Sequence, residues 1–135
     1  MSAEVAVRAA VIAALKGDSA LMAGMNGIYD GDPGRAAMPY GIVGECIGAD
    51  WGGKDVAGRE LRLTIGLTDP SAGPERLGPR IARVETLLGG VPPRDGWRIV
   101  TARLARSRVA RADRQQPGGG WQAILDYRLR AVRDG

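Results

Sequence analysis

The side chains of this chain that could do chemistry are few. There is no His and only one Cys, Cys46. Nucleophilic catalysis of the Ser-His-Asp or Cys-His kind needs a base beside the nucleophile. Here only Lys16, Lys54 or a carboxylate could serve, so no catalytic residue is assigned and the chain is read as a non-enzyme. Carboxylates pair as Asp30/Asp32 and Asp50/Asp55, both within glycine-rich turns. General acid work needs one member of a pair desolvated, whereas an open turn keeps both ionised and favours Asx-type capping. A calcium site built from Asp30, Asp32 and Asp50 lacks the EF-hand spacing. No metal ligand or cofactor-binding residue is assigned, and no cofactor is expected.

Two glycine-rich stretches invite a phosphate-loop reading. Residues Gly48 to Lys54 match the first seven positions of the P-loop pattern, but the eighth is Asp55, where Mg²⁺ ligation wants Ser or Thr. Pro117-Gly118-Gly119-Gly120 has no Lys, Ser or Thr beside it. Neither runs from a strand into a helix, as anion cradling requires, and both read as hairpin tips. Cys46 lies in an apolar run with Tyr40, Ile42, Val43 and Ile47 and reads as a small buried hydrophobe.

The strongest polar signal is a set of arginines, Arg103, Arg106, Arg108, Arg111 and Arg114. Three readings stand: phosphate neutralisation on nucleic acid, a solvated strand edge that resists aggregation, and ion pairing with a neighbouring subunit. No aromatic residues interleave the set, which argues against a single-strand stacking platform. Charge is lopsided along the chain. The net +4 combines residues 1–93, with 9 basic and 11 acidic side chains, and residues 94–135, with 10 basic and 4 acidic.

The elements that must position these groups follow from periodicity. At 135 residues the chain is expected to be one domain, residues 1–135, large enough to fold without metal or disulfide. Residues 3–16 read as a helix, with Val7, Val11 and Leu15 four apart and Ile12 and Ala14 widening the stripe. Gly17 ends it, and Asp18 or Ser19 caps a short turn through Met22. Ile28-Tyr29 begins a short edge strand, and Asp30 to Gly34 is a turn. A strand runs from Tyr40 to about Ala49, with a bulge expected at one of its glycines, Gly41, Gly44 or Gly48. Residues 50–58 form a polar tip. In the next strand Leu61, Leu63, Ile65 and Leu67 alternate with Glu60, Arg62, Thr64 and Gly66.

Leu77, Ile81, Val84 and Leu88 predict an amphipathic helix starting near Gly78 and stopped by Gly89-Gly90. A second hairpin follows. Strand 97–109 is expected to place Val100, Ala102 and Leu104 opposite Trp97, Ile99 and Thr101. Its tip covers about 112–119, and the last strand alternates Trp121, Ala123, Leu125, Tyr127 and Leu129 with Arg128 and Arg130. The fold class is therefore α+β: an antiparallel sheet of four to five strands in two hairpins, with helices on one face. No apolar run is long enough to span a membrane, so no membrane partner is expected. The N-terminus lacks the pattern of a signal peptide, so assembly in the cytoplasm is expected.

The order of these pieces carries a resemblance. It runs through the helix Val5–Leu15 with Asp18-Ser19-Ala20-Leu21, then Gly27-Ile28-Tyr29-Asp30 and Met38-Pro39-Tyr40-Gly41-Ile42-Val43. It continues with Asp50-Trp51-Gly52-Gly53-Lys54-Asp55, Glu60 to Ile65, Arg80 to Leu88, Arg103 to Arg108 and Tyr127-Arg128-Leu129-Arg130. This pattern resembles the tail terminator, or tail-completion, family of long-tailed bacteriophages and gene transfer agents. The resemblance implies a structural virion protein at the head-tail junction, assembled in the bacterial cytoplasm. It implies a homohexameric ring that caps the head-proximal end of the tail tube and stops tube growth. The implied partners are other copies of the chain, the tail tube protein and a neck or head-completion (stopper) protein, with DNA only passing through the lumen. Two alternatives stay open: a small nucleic-acid-binding module using the basic C-terminal hairpin, and a neck or head-completion protein of the same particle. Interface candidates are Trp51, Lys54 and Asp55 on the first tip, with Arg103, Arg106, Arg108, Arg111, Arg114, Arg128 and Arg130 on the second hairpin. Trp51 is either an interface anchor or packing for its own hairpin.

Overall fold

The computed structural model describes residues 2–113 and 119–134. Helix α1 spans Ala3–Lys16 and opens on Ser2, whose hydroxyl accepts from the Val5 amide. Gly17 closes α1 in a right-handed rather than a left-handed conformation (φ −79°). Asp18 then caps α2 (Ser19–Met22) through the Leu21 amide. Strands β1 (Ile28–Asp30), β2 (Gly41–Asp50) and β3 (Gly58–Asp69) precede α3 (Leu77–Leu88). Strands β4 (Trp97–Arg111) and β5 (Trp121–Arg133) finish the fold. Pro79 falls in the first turn of α3, where its missing amide proton costs nothing.

All five strands form one sheet in the order β1-β2-β3-β5-β4. The α+β class and the two hairpins, β2–β3 and β4–β5, are as the periodicity indicates. The sheet is mixed rather than wholly antiparallel, because β1 pairs parallel to β2 through Ile28↔Gly41 and Asp30↔Val43. The ten residues between them return the chain to the same end of the sheet, as parallel pairing requires. The other pairings are antiparallel.

The helices cover one face. Val7, Val11 and Leu15 of α1 and Leu77, Val84 and Leu88 of α3 meet Leu61, Leu63, Ile65, Leu67, Leu125 and Leu129, all at most 2% exposed. Each such side chain contributes roughly 1.5–3 kcal/mol by leaving water. The expected bulge in β2 falls between Val43 and Cys46, and keeps Cys46 on the covered side opposite Leu63. Strand β4 departs from simple alternation. Register shifts between Ile99 and Thr101 and between Leu104 and Arg106 each insert one residue. Trp97 and Ile99 therefore share the covered face with Ala102 and Leu104, while Val100 is turned to solvent.

One polar tie holds α3 to the sheet. Asp69, at the end of β3, is fully buried. It accepts from Arg80 of α3 at 2.7 Å and from the Ser71 amide at 2.9 Å. Burial alone would raise its pKa, but the Ser71 and Arg80 hydrogen bonds outweigh that and hold the carboxyl below its ordinary value. Asp18 makes a second tie, taking both Nε and Nη2 of Arg83 at 2.8 and 2.6 Å.

Candidate functional site

The two hairpin tips lie at opposite ends of the sheet. The β2–β3 tip, residues 51–57, sits beside the end of β5, where the Arg133 amide donates to the Ala57 carbonyl. The β4–β5 tip follows Arg111↔Trp121 at the other end, beside Asp69 of β3. Arg114 lies outside the described residues, as do Pro117 and Gly118. The P-loop-like segment Gly48–Lys54 joins strand to strand, closed by hydrogen bonds between Trp51 and Gly58 and between Gly53 and Val56. It is a hairpin tip, with none of the helix-terminal amides that bind phosphate.

On this tip Lys54, Asp55 and Val56 are exposed. Trp51 is turned back. Its ring lies on Gly58, where an added Cβ would come within 2.9 Å of it, and the Arg130 guanidinium stacks 5.0 Å from its centroid. Trp51 is still 39% exposed. Two interface candidates distant in sequence thus touch each other. One member of each carboxylate pair caps a turn: Asp32 accepts from the Gly34 amide and Asp50 from the Gly52 amide. Asp30 pairs with Arg8 of α1. Among the described residues no three acid or thiol groups gather into a metal-binding cluster. Burial, then the charge of Glu4, pushes the Cys46 thiol up to about 11.

The arginines of β4 divide. Arg111 lies over the Trp121 ring at 5.1 Å. Arg106 pairs with Asp126 at 3.1 Å yet keeps 81% of its side chain in solvent. The Thr64 hydroxyl, donating at 2.7 Å, holds the Asp126 carboxyl below its usual range, with Arg106 assisting against burial. Arg103 and Arg108 are exposed and have no ion-pair partner among the described residues.

Strand pairing adds an arginine absent from the candidate set. Arg62 of β3 stands opposite Arg128 of β5, which stands opposite Arg103 of β4. Three like charges therefore cross the uncovered face in one row, on strands about 4.8 Å apart. Glu60 relieves the row in part, reaching Arg128 at 3.7 Å and Arg130 at 3.2 Å. Like charges directly opposite each other destabilise a sheet. Beside the row runs a trough of about 530 Å³ lined by Glu45, Ile47, Arg62, Thr64, Arg106 and Asp126. Arg62 alternates as any solvent-facing strand residue does, so only the cross-strand register reveals its company.

The family described as tail completion protein gp17 matches residues 9–131. This chain belongs to that family. A solved chain from the structure titled "Virion of native gene transfer agent (GTA) particle" superposes with a TM-score of 0.79 at 26% identity. The match covers 98% of this chain and 99% of that one. Comparison with curated proteins finds no match. The chain is thus a structural tail-completion protein, a component of a virion tail. No helix of the described structure is long and apolar enough to cross a membrane.

Proposed function

We propose that this tail-completion protein forms a closed, six-membered ring at the head-proximal end of the tail tube. There it ends tube growth and joins tail to neck. Each copy contributes one tail-terminator-like domain and runs no reaction of its own. The observation that carries this reading is the polarity of the subunit. The two hairpins turn at opposite ends of one sheet, so each copy offers separate surfaces to a tube below and a neck protein above. The match to a chain of a gene transfer agent virion supports it. So does the sparse chemistry of the chain, since burial raises the single thiol to about 11 and Asp30, Asp32 and Asp50 serve as caps or ion-pair partners.

Electron microscopy of the assembled particle tests the proposal. One six-fold collar of this chain at the junction of head and tail supports it. Finding the chain along the whole tube, or missing from purified particles, overturns it. Replacing Trp51 with Ala adds a finer test, since the residue keeps about two-fifths of its surface exposed to a partner. That variant should fold and yield fewer completed tails. The basic row Arg62–Arg128–Arg103 favours a second reading, contact with DNA phosphates. Retention of the purified chain on DNA with a steep salt dependence would support it.

A further inference from the structure

The two lateral edges of the sheet differ in charge. Strand β4 is the terminal strand on one side, and its 15 residues include five arginines and no acid. Its two irregularities and its charges are the devices that keep an open edge from pairing with any passing strand. Val100 and Val109 stand exposed among the arginines, at 37% and 44%.

The opposite edge is acidic. Strand β1 covers only Gly41 to Val43, so β2 is itself the border of the sheet from Gly44 to Asp50. Residues 28–50 contain Asp30, Asp32, Glu45 and Asp50 against Arg35, with Arg8 of α1 reaching the Val43 and Gly44 carbonyls. Asp30 is already paired with Arg8, whereas Glu45 and Asp50 are exposed and without an ion-pair partner among the described residues. Between them stands Ile47, 56% exposed.

We propose that the β4 edge of one copy seats against the β2 edge of the next. Arg103 and Arg108 meet Glu45 and Asp50. The inference rests on the ring reading above and names the surfaces that close it. Because the complementary edges lie on opposite sides of one sheet, the contact is head-to-tail and repeats from copy to copy, as a cyclic assembly requires. A nucleic acid on the arginine edge would leave the acidic edge and Ile47 without a role. A second copy satisfies both edges with one contact. The charged rim also sets register and rejects a reversed orientation, in which like charges would meet.

A charge exchange in the full-length chain tests this. The chain is co-expressed with the other particle proteins, and its copy number per purified particle is read by quantitative mass spectrometry. R103E/R108E and E45R/D50R alter exposed groups and should melt like the wild type. Each should lower incorporation by at least about tenfold, because like charges then face each other. The four-substitution chain, which swaps both edges, should recover incorporation close to the wild-type level. A milder pair, R103Q/R108Q, introduces no repulsion and should lose less than R103E/R108E. The inference is overturned if the four-substitution chain does no better than its parents while wild-type particles carry the ring. It is likewise overturned if R103E/R108E abolishes DNA retention with incorporation intact. Absence of any ring in wild-type particles is a separate result, and removes the proposed function itself.

Discussion

Replacing Asp69 with Ala tests the account of how α3 is held to the sheet. The carboxylate is fully buried, and Arg80 keeps only 15% of its side chain in solvent. D69A removes a 2.7 Å charge-assisted bond and the acceptor of the Ser71 amide, and leaves a guanidinium in a mostly closed site. Breaking a buried pair from one side costs about 3–5 kcal/mol. With a urea slope of roughly 2 kcal/mol per M for a chain of this size, the unfolding midpoint should fall by about 2 M. D69N keeps the shape and one acceptor oxygen, so it should lose less. The pH dependence has a definite sign. Because the native carboxyl titrates below its ordinary 3.8, its stabilisation is present above about pH 4 and is lost as pH falls through the native pKa. The gap between wild type and D69A should therefore close in acid. Urea titrations at pH 7 and pH 3 measure both effects. A loss below about 1 kcal/mol at pH 7 would mean that Arg80 finds water when Asp69 is gone, and that the pair does not anchor α3.

Three further outcomes are expected. Tyr127 is 3% exposed, and its hydroxyl finds no hydrogen-bond partner among the described residues. Y127F should leave stability unchanged or raise it by up to about 1 kcal/mol in a thermal melt, since it removes a buried polar group that gains nothing. Asp18 is held down to about 2, first by Arg83 and then by the Leu21 amide. Its contribution is present above pH 4 and lost between about pH 4 and 2, so D18N should flatten that part of the acid-unfolding curve. The Cys46 thiol, raised to about 11, should alkylate with iodoacetamide far more slowly at pH 8 than a free cysteine, and accelerate as pH approaches 11.

Some of this was legible from residue order. The four-residue spacing in α1, the stripe of α3 and the alternation of Leu61, Leu63, Ile65 and Leu67 each report burial on one side of one element, which is local information. Features that depend on two elements were not legible. Nothing in the residues of β4 marks Val100 or Ala105 as an insertion, because a bulge is defined by the partner strand. Val100 looks as apolar as its neighbours, so strict alternation put it on the wrong face. Asp69 stands between Thr68 and Pro70, where an aspartate reads as a turn former; its burial depends on Arg80 arriving from α3. The pairing of Trp51 with Arg130 and the row formed by Arg62, Arg128 and Arg103 arise only when β5 inserts between β3 and β4. The arginine cluster was visible as composition, and its division into paired and unpaired members was not.

The placement of the two loops has a consequence for how such a subunit can change over generations. Strand β3, with 12 residues at roughly 3.3 Å each, separates them by about 40 Å. Substitutions that far apart, with no shared neighbours, act independently on stability. If the two poles meet different companions, as proposed, one can therefore drift to suit a new one while the other keeps its old fit. A lineage can exchange the piece on one side of this adapter without relearning the other.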